Sequence, residues 1–176
     1  MGSHLERLHA ELECVLAIAS GEALEKAPAG KWNSALILEH LYLTYKVTNK
    51  GIAKCMTEGR PQATKVTMKH RAKKLVVVGM GYMPGGAKAP ERAVPRGELG
   101  DEVRGTILAE LERMAAGLDE CERRFGVRTK IMDHPVLGPL TANEWRKFHW
   151  VHGRHYVRQI RERMGASQKS ELRSQK

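Results

Sequence analysis

Residues 141–164 read TANEWRKFHWVHGRHYVRQIRERM, and their periodicity decides the fold. Thr141 and Glu144 have capping-box spacing: the hydroxyl can accept from the amide at 144 while the carboxylate reaches back to the amide at 141. On a helical wheel Trp145, Phe148, His149, His152, Tyr156, Gln159 and Ile160 fall near one stripe. Arg146, Arg154, Val157, Arg158 and Arg161 fall toward the other side. The spacing predicts a helix over 142–164 with imidazoles on its inner face. His152 and Tyr156, four apart, point inward one turn from each other, with His149 a turn before them and His155 on the shoulder.

The same period appears upstream. Leu5, Leu8, Leu12, Val15, Leu16 and Ala19 mark a first helix, which Ser20-Gly21 ends. Asn33 or Ser34 is a good N-cap for a second helix running to about Thr57, with Trp32 placed to staple its start. Ile37, His40, Leu41, Thr44, Val47, Thr48 and Ile52 lie near one side of it. Val103, Ile107, Leu108, Leu111, Met114, Ala115 and Leu118 give a third long helix that opens at Gly100 or Asp101 and stops near Phe125-Gly126. Residues 63–78 carry a weaker helical signal. From Gly79 to Gly97 the chain is rich in Gly and Pro and reads as an ordered, irregular connection. Asp133 to Leu140 reads as a turn-rich lead into the last helix. The expected fold class is all-α: a four-helix bundle, up-down with one long crossover or insertion, over residues 1–165, followed by a polar tail over 166–176 expected to be disordered.

Composition narrows the function classes. The chain has 176 residues, 41% of them hydrophobic and 5% aromatic, which suits one helical domain with an aliphatic core. Cys14, Cys55 and Cys121 are scattered and have no metal-ligand spacing, so they read as free thiols of a cytoplasmic protein. The longest strongly apolar run, Leu75 to Val78, is far too short to span a bilayer, and no membrane partner is expected. The formal charge of +10 raises the question of a polyanion partner. Nine Lys/Arg against one Glu fall between Lys46 and Lys74, but Lys46, Lys50 and Lys54 recur as a solvated helix face does. No aromatic stacking pattern accompanies them, so a nucleic-acid partner is not the expectation.

The chemistry lies in the inward histidines. A buried imidazole needs partners for its ring nitrogens. One such residue is ordinarily a hydrogen-bonded core group, whereas several converging from separate helices resemble the way bundle cores hold metal ions. Imidazole suits Zn or Ni. His134 precedes Pro and is extended, so it stabilises the turn or leans over the bundle mouth. Glu39 reads as a surface charge and Glu144 as a cap. The glycines at 79, 81, 85 and 86 lack the Lys-Ser/Thr of a phosphate loop.

Two stretches carry a resemblance. Gly30-Lys31-Trp32-Asn33-Ser34 with Ile37-Leu38-Glu39-His40-Leu41 is similar to the start of the second helix in the DinB/YfiT-like superfamily. His134-Pro135-Val136-Leu137-Gly138-Pro139-Leu140-Thr141, Glu144-Trp145, and His152 through Ile160 resemble the end of a DinB-related family of unknown function. The resemblance implies a metal-dependent four-helix bundle. In such proteins one His on the second helix and a His-x-x-x-His pair on the last bind a divalent ion, which some members use with a low-molecular-weight thiol. Carried over, the ligands fall on His40 and His152. The third falls on Tyr156, a departure, since a neutral phenol is a poor ligand. His149, His155, Thr44 and His134 are the expected pocket lining. Two readings follow: a metal-dependent enzyme of thiol-transferase or hydrolase type with a His/His/Tyr site, or a metal-free bundle that binds a small ligand or acts as a scaffold. A small molecule or thiol is the expected partner, a homodimer is compatible with either reading, and a basic polyanion-binding module ranks behind both.

Overall fold

The computed structural model describes residues 3–18, 22–25, 27–65, 67–84, 88–97 and 100–174. Helix α1 spans His4–Ile18, α2 Glu22–Glu25, α3 Ser34–Glu58, α4 Met68–Lys74, α5 Gly100–Phe125 and α6 Ala142–Ser174. Two short strands, β1 Lys130–His134 and β2 Gly138–Thr141, lie between α5 and α6. The protein is thus mainly helical with a small antiparallel hairpin. The expected stops at Ser20-Gly21 and the glycines at 85 and 86 lie outside the described residues, as do residues 1, 2, 175 and 176.

The helix ends follow local chemistry. Asn33 caps α3, its side chain accepting from the amide of Leu36 at 2.8 Å. Gly59, at φ 64°, closes that helix in the left-handed conformation, its amide donating to the Met56 carbonyl. The capping box at α6 forms in both directions: the amide of Glu144 donates to Thr141 Oγ1 at 3.2 Å, and the amide of Thr141 donates to Glu144 Oε2 at 2.9 Å. Lys74 and Lys130 both pair with the same carboxylate.

The core runs between the long helices. Helix α3 packs chiefly on α5 and α1 chiefly on α6, with α5 and α6 also in contact. Leu5, Leu8, Leu12, Ile37, Leu41, Ile107, Leu111, Met114 and Leu118 are buried there, as the stripes predict. Val47, placed on the inner stripe by the sequence, is 38% exposed, because the face that meets α5 and α6 is centred on Leu41, Tyr45, Thr48 and Ile52.

Three elements depart from the sequence reading. The segment before α6 is a hairpin, pairing Met132 with Leu140 and His134 with Gly138, with an irregularity between Lys130 and Met132. Its outer edge is covered where the amide of Gln62 donates to the Ile131 carbonyl at 2.7 Å. Two prolines and strands of five and four residues hide this in the sequence. The helical signal at 63–78 starts only at Met68, capped by Thr67, and then widens into a π-helical turn over Leu75–Gly79. Helix α6 continues to Ser174, past the expected end at Met164. The 166–174 stretch is rich in strong helix formers, Ala, Gln, Lys, Glu, Leu and Arg, which favour continuing the turn.

Glycine sets the distance between α3 and α5. A Cβ on Gly117 would lie 2.8 Å from Ile52 Cγ2, on a β-branched side chain with little freedom to move. Gly105, on the same helix, has open space around it. Gly105→Ala is expected to stabilise by up to about 1 kcal/mol through helix propensity. That corresponds to a rise of roughly 2–4 °C in melting temperature for a domain of this size. Gly117→Ala is expected to lower the melting temperature despite the same propensity gain. Thermal unfolding of both variants by circular dichroism measures the difference; a Gly117→Ala protein that melts above its parent would contradict this account of the helix crossing.

Candidate functional site

The site starts with two neighbouring residues on α3. Glu39 and His40 are 5% and 2% exposed. Both grip the irregular connection that follows the π turn. Glu39, expected as a surface charge, has its carboxylate accepting from the amides of Arg96 at 3.0 Å and Gly97 at 2.8 Å. His40 Nδ1 donates to the carbonyl of Ala93 at 2.6 Å, where residues Glu91–Ala93 form a 3-10 turn. Residues 91–97 therefore form a strap laid across α3 and held at Ala93, Arg96 and Gly97.

Helix α6 supplies the opposing group. His152 is 9% exposed, and its Nε2 lies 3.2 Å from His40 Nε2. The carbonyl of Ala93 can only accept, so the His40 proton sits on Nδ1 and its Nε2 offers a lone pair. With both rings neutral, the proton between them belongs to His152 Nε2. That leaves His152 Nδ1 as a buried acceptor with no partner among the described residues. Burial lowers the pKa of both imidazoles. For His152 the neighbouring His40 lowers it further, whereas for His40 the bond to Ala93 works in the opposite direction.

Aromatic rings enclose the pair. The Tyr156 ring centroid lies 4.8 Å from that of His40 and 4.9 Å from that of His152. Trp32 lies 5.1 Å from His40 and stacks with Tyr156 at 6.4 Å. Trp32 therefore walls the site as well as anchoring the start of α3. Phe148 closes the side toward the hairpin, 5.3 Å from His152. Burial raises the Tyr156 phenol above its ordinary pKa of 10, which keeps it protonated and able to donate.

The structure thus brings His40, His152 and Tyr156 together. The other expected lining residues are engaged by other partners. His149, wholly buried, sits a turn away, its Nε2 donating to Thr48 Oγ1 at 3.1 Å. Its ring stacks on Trp145 and meets the edge of Tyr45. The Thr44 hydroxyl is engaged by its own helix, donating to the His40 carbonyl at 2.8 Å. His155 is half-buried on the rim, 2.8 Å from Gln159 Nε2. His134 is the turn stabiliser of the hairpin: its Nδ1 accepts from the amides of Val136 at 3.1 Å and Leu137 at 3.2 Å. Its ring rests on Phe148 at 4.3 Å. Glu39 and the Ala93 carbonyl were missed. A backbone group has no sequence signature, and the length of the 79–97 connection is the one hint the chain offered.

The donor set has limits. Among the described residues no group of three or more His, Cys, Asp or Glu is arranged to hold a metal ion. A cavity of about 290 Å³ lies beyond Glu39, between α2, α3 and α5, lined by Leu24, Asn33, Leu38, Val103 and Arg104. None of the histidines faces it.

Fold and site together define a mainly helical domain with a buried histidine pair under a backbone strap. Residues 4–163 match a protein family described as of unknown function, DUF1569, and the chain belongs to that family. No curated protein and no solved structure matches it.

The interior histidines make stability depend on pH. Burial lowers His134 to about 4 and His149 to about 3, from 6.5. Both are neutral in the fold and protonate in the unfolded chain. Their contribution is therefore complete above pH 6.5 and is lost as pH falls toward the folded values. Each loses about 1.4 kcal/mol per pH unit in that window. Urea unfolding is expected to show stability falling by roughly 4 kcal/mol from these two groups between pH 6.5 and 5. His149→Leu should lower the slope by about 1.4 kcal/mol per pH unit, and an unchanged slope would contradict a neutral, buried His149.

Proposed function

We propose that the chain is a DinB-like four-helix-bundle protein whose His40 and His152 hold a divalent ion, Zn or Ni, with Tyr156 at the third position. The observation that carries this is the meeting of two buried Nε2 atoms at 3.2 Å, one of them on a ring already fixed by a backbone carbonyl. Two imidazoles on one tetrahedral ion, at roughly 2.0–2.1 Å each, stand about 3.3 Å apart. A ligating His commonly donates its other ring N–H to a carbonyl or carboxylate, as His40 does to Ala93. The donor set therefore fits such an ion in two positions and fits it weakly in the third.

When bound, the ion supplies Lewis acidity that lowers the pKa of a thiol or water. The chain's own groups do the rest. Ala93 holds the His40 ring in one orientation and tautomer. Trp32 and Phe148 exclude water from the imidazoles. Tyr156, when not a ligand, is protonated and can donate a proton. A thiol-transferase or hydrolase-like reaction on a small molecule is the activity class this supports.

A second reading keeps the same pocket without an ion, as a small-ligand site or scaffold in which Tyr156 has replaced a ligand. The protonated phenol favours it. Metal analysis and calorimetric titration of tag-free protein separate the two. The first reading expects one Zn or Ni per chain and its loss in His40→Ala. Absence of bound ion above trace, together with no heat on adding Zn or Ni, would overturn it. Tyr156→His supplies a third imidazole. It is expected to tighten binding by more than the roughly 10- to 100-fold that outer partners are worth. Tight binding only in that variant would establish the second reading.

A further inference from the structure

Four of the large apolar side chains that the core leaves exposed lie along one segment, whereas Ile18, Val127 and Val136 are scattered elsewhere. Met68, Leu75, Met80 and Tyr82 are 76%, 64%, 72% and 60% exposed. Met68, Ala72 and Leu75 recur at i, i+4 and i+7, so they form a ridge on the outer face of α4 and the π turn. The segment is held rigidly from behind. Val77 and Val78 are buried, Lys74 pairs with Glu144 at 2.9 Å, and Lys147 Nζ donates to the Gly79 carbonyl at 3.3 Å. A fold that fixes its apolar residues outward presents an interaction surface.

Charge selects the partner. Residues 59–90 hold seven Lys/Arg and no Asp or Glu. Lys69, Arg71 and Lys73 are exposed on the same helix, α4. A nucleic acid would use these cations for its phosphates and could stack a base on Tyr82, but Met68, Leu75 and Met80 are not aromatic and offer no stacking face. An anionic bilayer uses both: apolar side chains enter the acyl boundary while Lys and Arg meet the headgroup phosphates. We propose that residues 68–82 form a peripheral docking surface for an anionic lipid bilayer. Among the described residues no helix is long and apolar enough to cross one, so the contact is interfacial.

Co-sedimentation of the full chain with two vesicle types tests this: phosphatidylcholine alone, and equimolar phosphatidylcholine and phosphatidylglycerol. Pelleting is expected with the second only, and is expected to weaken as salt rises. Lys69→Gln/Arg71→Gln/Lys73→Gln should weaken it about a hundredfold, at roughly a factor of five per cation near an anionic surface. Met68→Ser/Leu75→Ser/Met80→Ser should weaken it as well. All these positions are exposed, and unchanged melting curves would show that both variants keep the fold. No pelleting with either vesicle, or equal pelleting with both, would overturn the proposal. So would an apolar variant that pellets like its parent, because the surface would then be a general polyanion binder, with duplex DNA competing equally well.

Discussion

A buried imidazole N–H needs an acceptor, and at His40 that condition organises the site. The required acceptor for Nδ1 is the carbonyl of Ala93, more than fifty residues along the chain. The preceding residue, Glu39, places a carboxylate in the same low-exposure surroundings and requires donors, which Arg96 and Gly97 supply from their backbone. The strap that lies over these side chains also satisfies them, since a buried polar group left without a partner costs about 1–3 kcal/mol, and more for a charge. With the strap, the His40 ring has one tautomer and one orientation, and its remaining lone pair faces α6.

The opposing helix repeats the problem and solves it only in part. His149 gives its proton to Thr48, whose own hydroxyl proton goes to the Thr44 carbonyl. Its Nδ1 then has no donor among the described residues, nor has Nδ1 of His152. A neutral ring with one unmatched acceptor is tolerable in an aromatic setting such as Trp145 and Phe148 provide; a charged ring there is not. The interior of α6 is therefore polar in composition and uncharged in state, which is what a domain needs if its inner histidines are to act as Lewis bases.

The helices were legible because their signals are local. The Asn33 cap, the Thr141–Glu144 box, the α5 stripe and the Gly59 stop each depend on residues within four positions, and each formed as its chemistry requires. The inward placement of His40, His149 and His152 followed from the same periodicity. What the chain did not reveal was long-range. The β1–β2 hairpin is set by Ile131 and Leu140 packing beneath α3 and α6, and its edge is covered by Gln62 from a distant segment. Glu39 looked like a surface residue because nothing near it in sequence announces the two amides it binds. Thr44 looked like pocket lining because a wheel shows direction and not the competing carbonyl one turn back. Which inward histidines share a site depends on where the strap falls, and periodicity carries no information about that.

The contact between His40 and His152 joins residues 112 positions apart. During synthesis α1, α3, α5 and the strap all emerge before α6 does, so His40 waits with its Nε2 unengaged until nearly the whole domain has left the ribosome. Closure of so long a loop is among the last ordering events of a folding chain. The histidine pair is thus also a mark of completeness: a chain truncated ahead of residue 152 carries the first imidazole but not the second.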